Sequence, residues 1–282
     1  MTKNWLLALC LLLLAFGAAA QNKLAKVQNE ILEEAYELYY LESASWHGTD
    51  ILTSQYEPLL EKLGGYLSYK DGEQYACIFW GRENKDEIIL KISFTDPRDP
   101  KSAEVSQNLT ATEAEKDLIG LRIAAKEIVN NNTDKFFKFY RGSNLNIIPI
   151  IDGQTRKVVI LCGPAVNGVI LFGNDYEMTF DQRNKVLSKR KIHSSLVDLD
   201  IKPAKGERKG LAYHTHIKKH SPYITSTDIC TLLLYANYTD WKQHIVTSKK
   251  YVSIWDIEEE ELVILTTKAF NKIYDHLEKN QP

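Results

Sequence analysis

Two histidines one residue apart, with an aspartate a loop later, are the residues of this chain best suited to chemistry. Tyr213-His214-Thr215-His216 is followed by Ile224-Thr225-Ser226-Thr227-Asp228. In a β-strand, side chains two positions apart point to one face, so His214 and His216 offer two imidazoles to a single ion. An aspartate opening the next helix would add a third ligand, and three protein ligands plus a water make the open site of a catalytic zinc. Such an ion lowers the pKa of its water to about 7 and polarises a carbonyl. Thr225 and Asp228 also stand at the spacing of a helix-capping pair, in which hydroxyl and carboxylate each satisfy a free amide. By spacing, Asp228 is therefore a ligand or a cap. His193, His220 and the aromatic-flanked His47 have no partner at a ligand spacing.

The elements that must position these residues show as changes of hydrophobic period. Leu24, Val27, Ile31, Leu38 and Leu41 recur at helical spacing, predicting a first helix that ends before Trp46-His47-Gly48. The segments 65–69, 75–80 and 88–94 are aromatic and β-branched, with Asp71-Gly72 between the first two. They predict a small antiparallel meander closed by Pro97 and Pro100. Thr110 with Glu113, or Thr112 with Glu115, offers a capping box for a second helix with an inner stripe of Leu118, Leu121, Ala125 and Ile128, ending at Asn130–Asn132. A linker through Asn144-Leu145-Asn146 leads to strands at 157–162, 168–180 and 186–193, with a soft boundary near residue 150. A short buried strand at 210–214 ends on His214, a helix begins at Thr225, strands follow at 243–255 and 261–266, and a final helix carries Phe270, Ile273 and Leu277. This order predicts an α+β fold, a mainly antiparallel sheet with helices packed on it. Its regions would be 21–150 and 151–282, after a leader of residues 1–20.

The His-Thr-His pair, the loop and the Thr-x-x-Asp resemble the JAMM signature of the JAB/MPN superfamily, over roughly residues 155–280. That resemblance implies a zinc held by His214, His216 and Asp228, with Thr225 in the place of the family's serine. It also implies an upstream glutamate as general base, and hydrolysis of peptide or isopeptide bonds in a peptide or protein substrate. The loop is one residue longer than the signature and Ile217 replaces its common proline. Between residues 128 and 213 the glutamates are Glu177 and Glu207. Glu207 lies in a Lys-Gly-Glu-Arg loop, so Glu177 is the candidate base. The alternation of Tyr176, Met178 and Phe180 with Asp175, Glu177 and Thr179 would equally put Glu177 on a wet face. The rival to a hydrolase is a non-catalytic binding module on the same fold with a degenerate site. Metallo-β-lactamase and amidohydrolase patterns fit less well, because Lys218-Lys219 follow the pair and no repeated βα chain surrounds it. Blocks such as Phe172-Gly173-Asn174-Asp175-Tyr176 also make residues 30–280 similar to a group of exported bacterial proteins, which implies no activity.

Composition narrows the class further. The formal charge of the 282 residues is −2, and this balance argues against a nucleic-acid partner. Met1-Thr2-Lys3, the uncharged run from Trp5 to Phe16 and Ala18-Ala19-Ala20 predict a signal peptide cleaved before Gln21. The rival is an uncleaved anchor, but about 20 apolar residues are needed to span a bilayer. The expected product is secreted or periplasmic, without a membrane span. Of four cysteines, Cys10 would leave with the leader. Cys77, Cys162 and Cys230 then allow at most one bridge, so the chain is no disulfide scaffold.

Overall fold

The structure, a computed structural model, describes residues 3–193, 195–201, 210–217 and 221–279, and side chains from 23 to 276. The side chains of the leader, Glu207 and His220 lie outside the described residues. The first helix, α1 (Lys3–Gln55), runs on past the expected stop at Trp46. Its inner stripe continues beyond Leu41 through Ala44 to Leu52 at helical spacing, all buried. Gly48 does not end the helix. It lets the helix lie against a strand, since a Cβ there would stand 2.8 Å from the Cβ of Cys77.

Three four-stranded sheets and one two-stranded ribbon follow. The meander comprises β1 (Leu63–Asp71), β2 (Gln74–Gly81), β3 (Glu87–Phe94) and β4 (Ala103–Thr110), antiparallel in that order. The turn between β1 and β2 uses Gly72 at φ 65°. Strand β4 lies beyond the prolines expected to close the meander. It is exposed along nearly all its length, so no burial alternation marks it. Helix α2 (Glu113–Asn131) starts at the Thr112–Glu115 capping box and stops at Asn132, φ 36°.

The central sheet contains β5 (Ser143–Asp152), β6 (Thr155–Pro164), β8 (Tyr176–Phe180) and β9 (Val186–Lys191). Asn144–Asn146 is thus strand, not linker. Position 150 falls inside β5, which pairs with β6 from end to end. The expected strand 168–180 is two: β7 (Val169–Gly173) leaves the sheet to pair with β10 (Leu196–Asp200). Gly173 and Asn174, both at positive φ, make the break.

In the last sheet β11 (Leu211–Thr215) runs parallel to β12 (Gln243–Thr247), with α3 (Ser226–Tyr235) in the crossover. Strands β13 (Tyr251–Asp256) and β14 (Glu261–Thr266) complete it antiparallel, before α4 (Thr267–Lys279). The expected strand 243–255 therefore folds back on itself at Ser248–Lys250. The fold is α+β, with mostly antiparallel sheets.

Helix α1 joins the layers. Val27, Ile31 and Ala35 pack with Trp255, Leu262 and Ile264 of the last sheet. One turn on, Leu38 and Leu41 meet Ile148, Ile150, Val159 and Leu161 of the central sheet. Beyond them Ala44 and Leu52 meet Cys77, Phe79 and Leu90 of the meander. The opposite face of the central sheet carries α2, with Leu121, Ala125 and Val129 against Val158, Ile160, Tyr176, Met178 and Phe180. Among the described residues, no helix is long and apolar enough to cross a membrane.

Candidate metal centre

Asp228 is the hub of a buried polar cluster between β11, α3 and the segment after β9. It stands at the third position of α3 and its two oxygens do different things. Oδ2 accepts the Thr225 backbone N–H at 2.9 Å and the Thr225 hydroxyl at 2.7 Å. That completes a reciprocal capping box, with the Asp228 N–H donating to Thr225 Oγ1. Oδ1 is buried with no hydrogen-bond partner among the described residues. It faces His193 Nε2 at 3.3 Å and His214 Nε2 at 3.6 Å, while His216 Nε2 lies 3.5 Å from Oδ2. The cap and the ligand, alternatives by spacing, are one residue using different oxygens.

His214 on β11 and His216, one residue past its end and still bonded through its N–H to the Thr247 carbonyl, project to one side with their Nε2 atoms 3.0 Å apart. His193 completes the group, although it stands far from the pair in sequence and no spacing rule points to it. Gly173 makes its approach possible. At φ 87°, a Cβ there would fall 2.3 Å from the Ser195 carbonyl and 3.2 Å from His193 Cβ. Asn174 donates its backbone N–H to the same carbonyl. Asp175, next in line, accepts the Cys162 N–H on Oδ1 and faces His193 Nδ1 with Oδ2 at 3.0 Å. The Phe172–Tyr176 block is thus the mount for His193.

The far nitrogens of the three rings are all occupied. His193 Nδ1 meets the Asp175 carboxylate, His216 Nδ1 meets the Tyr223 carbonyl at 2.8 Å, and His214 Nδ1 meets His244 Nε2 at 2.9 Å. Carboxylate and carbonyl only accept, so Nδ1 of His193 and His216 carries the proton. A neutral ring then has its lone pair on Nε2, the arrangement in which imidazoles bind metals. Burial pushes His214 down to about 4 and His216 down as well, so both are neutral at neutral pH. Burial also opposes charge on His193, but Asp228 and then Asp175 outweigh it and hold the ring at about 10. Against its own burial, those histidines keep Asp228 ionised.

The donor set fits a divalent ion. His193, His216 and Asp228 each place a ligand atom within 4.8 Å of the others. For a tetrahedral zinc with bonds of about 2.0–2.1 Å, neighbouring ligand atoms stand ~3.3 Å apart. The His214–His216 contact of 3.0 Å and the contacts of Oδ1 with His193 and His214, 3.3 and 3.6 Å, straddle that edge. Without an ion, the same contacts require a proton shared between His214 and His216 and a cationic His193 between two carboxylates. A cavity of about 70 Å³, lined by Phe172, His193, His214, His216 and Ile217 among others, adjoins the cluster.

The other two candidates are engaged elsewhere. Glu177 is on β8, half-buried, with both oxygens held by Arg190 at 2.7 and 2.8 Å. Thr225 gives its hydroxyl to Asp228, and its Oγ1 also lies 3.3 Å from His193 Nε2. Compared with known proteins, the chain matches no family model, no curated protein and no solved structure.

Proposed function

We propose that this is an exported zinc-binding protein whose C-terminal half is a JAB/MPN-like domain with a closed centre. His193, His214, His216 and Asp228 are its ligands. The observation that carries this is the gathering of three imidazole Nε2 atoms around the Asp228 carboxylate, His193 and His214 on the Oδ1 that has no hydrogen bond and His216 beside Oδ2, while the Nδ1 of each of these three rings is satisfied. Bound zinc would supply a fixed double charge that neutralises Asp228. Four protein ligands make a closed, structural set. Here they would tie the segment after β9, strand β11 and helix α3 to one point. The protein is then a binding module rather than an enzyme. Asp175 has spent both oxygens, and Glu177 is paired with Arg190, so neither is free to take a proton from a water.

A second reading, a zinc hydrolase of peptide or isopeptide bonds in a protein substrate, is favoured by the cavity beside the histidines. In that case His214, His216 and Asp228 hold the ion and leave one position open. Cobalt substitution separates the two. A closed centre gives a four-coordinate visible spectrum that azide leaves unchanged, whereas an open centre changes with azide and cleaves a peptide panel. Metal analysis tests the site itself: the wild type should carry close to one zinc and His214→Ala should lose it. Equal, near-zero zinc in both after purification with zinc supplied would end the proposal. N-terminal sequencing of exported protein should begin at or near Gln21, and an intact Met1 would remove the export part.

A further inference from the structure

A cavity of about 660 Å³ is separate from the cavity beside the histidine cluster and shares no lining residue with it. It opens between α1, the start of β1, β5, the β6–β7 connection and the end of α3. Its volume lies in the ~300–1,000 Å³ range of small-molecule sites. One wall is aromatic. The Trp46 ring centre lies 5.6 Å from that of Tyr235 and 6.4 Å from that of Tyr238, on which it stacks at 20°. Trp46 is 36% exposed and Tyr238 59%. That amount of aromatic surface left open beside a cavity is the usual make-up of a ligand wall.

The floor is polar and its charge has one sign. Glu42 and Asp50 line the cavity, together with Ser45, Thr49 and two asparagines, and among the described residues no lysine, arginine or histidine does so. Glu42 Oε2 accepts from Asn146 Nδ2 at 2.9 Å, and Oε1 has no hydrogen bond among the described residues. Among the described residues, the cation whose charge bears on Glu42 is Arg122. Arg122 is committed elsewhere: its guanidinium lies 5.0 Å from the centre of the Tyr66 ring and 5.9 Å from that of Trp80, and Nε donates to the Ile147 carbonyl. A half-buried carboxylate with a spare oxygen and no basic residue lining its cavity lacks a counter-ion among the described residues. An ammonium is the group that satisfies it, with three donors for the carboxylate and hydroxyls around it and a positive charge for the neighbouring ring faces.

The geometry points to a binding site for a small organic cation, its ammonium on Glu42 and its apolar body against the Trp46–Tyr238 wall. This goes beyond the zinc proposal and uses none of the metal ligands. The mature chain is titrated with phenethylamine, cadaverine and benzyltrimethylammonium, and with neutral phenethyl alcohol, by calorimetry and tryptophan emission. At least one cation should bind saturably and about tenfold or more tighter than the alcohol. Glu42→Gln should weaken that cation about tenfold while leaving the alcohol and the zinc content unchanged. Trp46→Phe should remove most of the emission change. The inference is overturned if no cation binds, if the alcohol binds as tightly as the cations, or if Glu42→Gln, still folded by circular dichroism, binds the cation as the wild type does.

Discussion

Replacing Asp175 by asparagine tests the centre at a residue that never touches the ion. Asp175 accepts two hydrogen bonds, from the Cys162 N–H and from His193 Nδ1–H. Asparagine has one accepting oxygen and one donating amide, so it cannot serve both. If its oxygen keeps the Cys162 N–H, its amide faces His193 Nδ1, which must then become an acceptor. The ring proton moves to Nε2 and the lone pair that would bind zinc is gone. Loss of such an outer carboxylate weakens metal binding ~10–100-fold. That corresponds to about 1.4–2.8 kcal/mol of binding energy. At saturating zinc it lowers the unfolding midpoint by about 3–11 °C for a chain of this size. Competition against a chromophoric chelator at neutral pH measures the affinity, and thermal unfolding with and without chelator measures the linkage. Near-UV circular dichroism checks that the variant is folded. If folded Asp175→Asn binds zinc as tightly as the wild type, His193 is not a ligand and the closed centre is refuted.

Three further outcomes follow from particular contacts. Gly173→Ala combines a positive φ with a Cβ 2.3 Å from the Ser195 carbonyl. It should displace His193, destabilise by about 1–3 kcal/mol and lower zinc content, read by urea unfolding and metal analysis. Gly48→Ala gains up to about 1 kcal/mol of helix propensity. It loses about 1–3 kcal/mol to overpacking against Cys77, whose Cβ and Sγ would lie 2.8 and 2.9 Å away. The midpoint should fall equally with and without zinc, and a rise would show that α1 and β2 give way cheaply. Burial raises the Glu42 carboxyl from its ordinary 4.5 to about 7, against the pull of Asn146 and Arg122. Between those values the unfolded chain has released this proton and the folded chain has not, so its contribution to stability falls as pH rises. Wild type should therefore lose stability relative to Glu42→Gln across that window, and parallel pH profiles in urea unfolding would contradict the shift.

Much of the fold could be read from local rules. The meander announced itself through Asp71-Gly72 and its aromatic runs, α2 through the Thr112–Glu115 box, and the core face of β8 through Tyr176, Met178 and Phe180. Signals failed where tertiary packing decides. β4 carries no alternation because it is an exposed edge. Gly48 looked like a helix stop and is a contact point. The centre was half legible: His214, His216 and Asp228 come together because strand and cap geometry are local. His193 arrives through the path of another sheet, and its only trace was the unexplained Gly173-Asn174-Asp175 run. Glu177 had an acidic side chain at a reachable place in the sequence, but its strand partner is Arg190.

Helix α1 also sets the order in which the molecule can be completed. Gln28 donates to the Leu262 carbonyl across 234 residues, and the early turns of the helix pack on β13 and β14. The apolar side of α1 therefore stays uncovered until β13 and β14 are in place. Closures of such long sequence separation are slow, and the uncovered surface is what aggregates or binds chaperones in the interval. A chain cut short before β13 would carry that exposed stripe permanently. Defects near the C-terminus should thus declare themselves at the opposite end of the sequence, as proteolysis within α1.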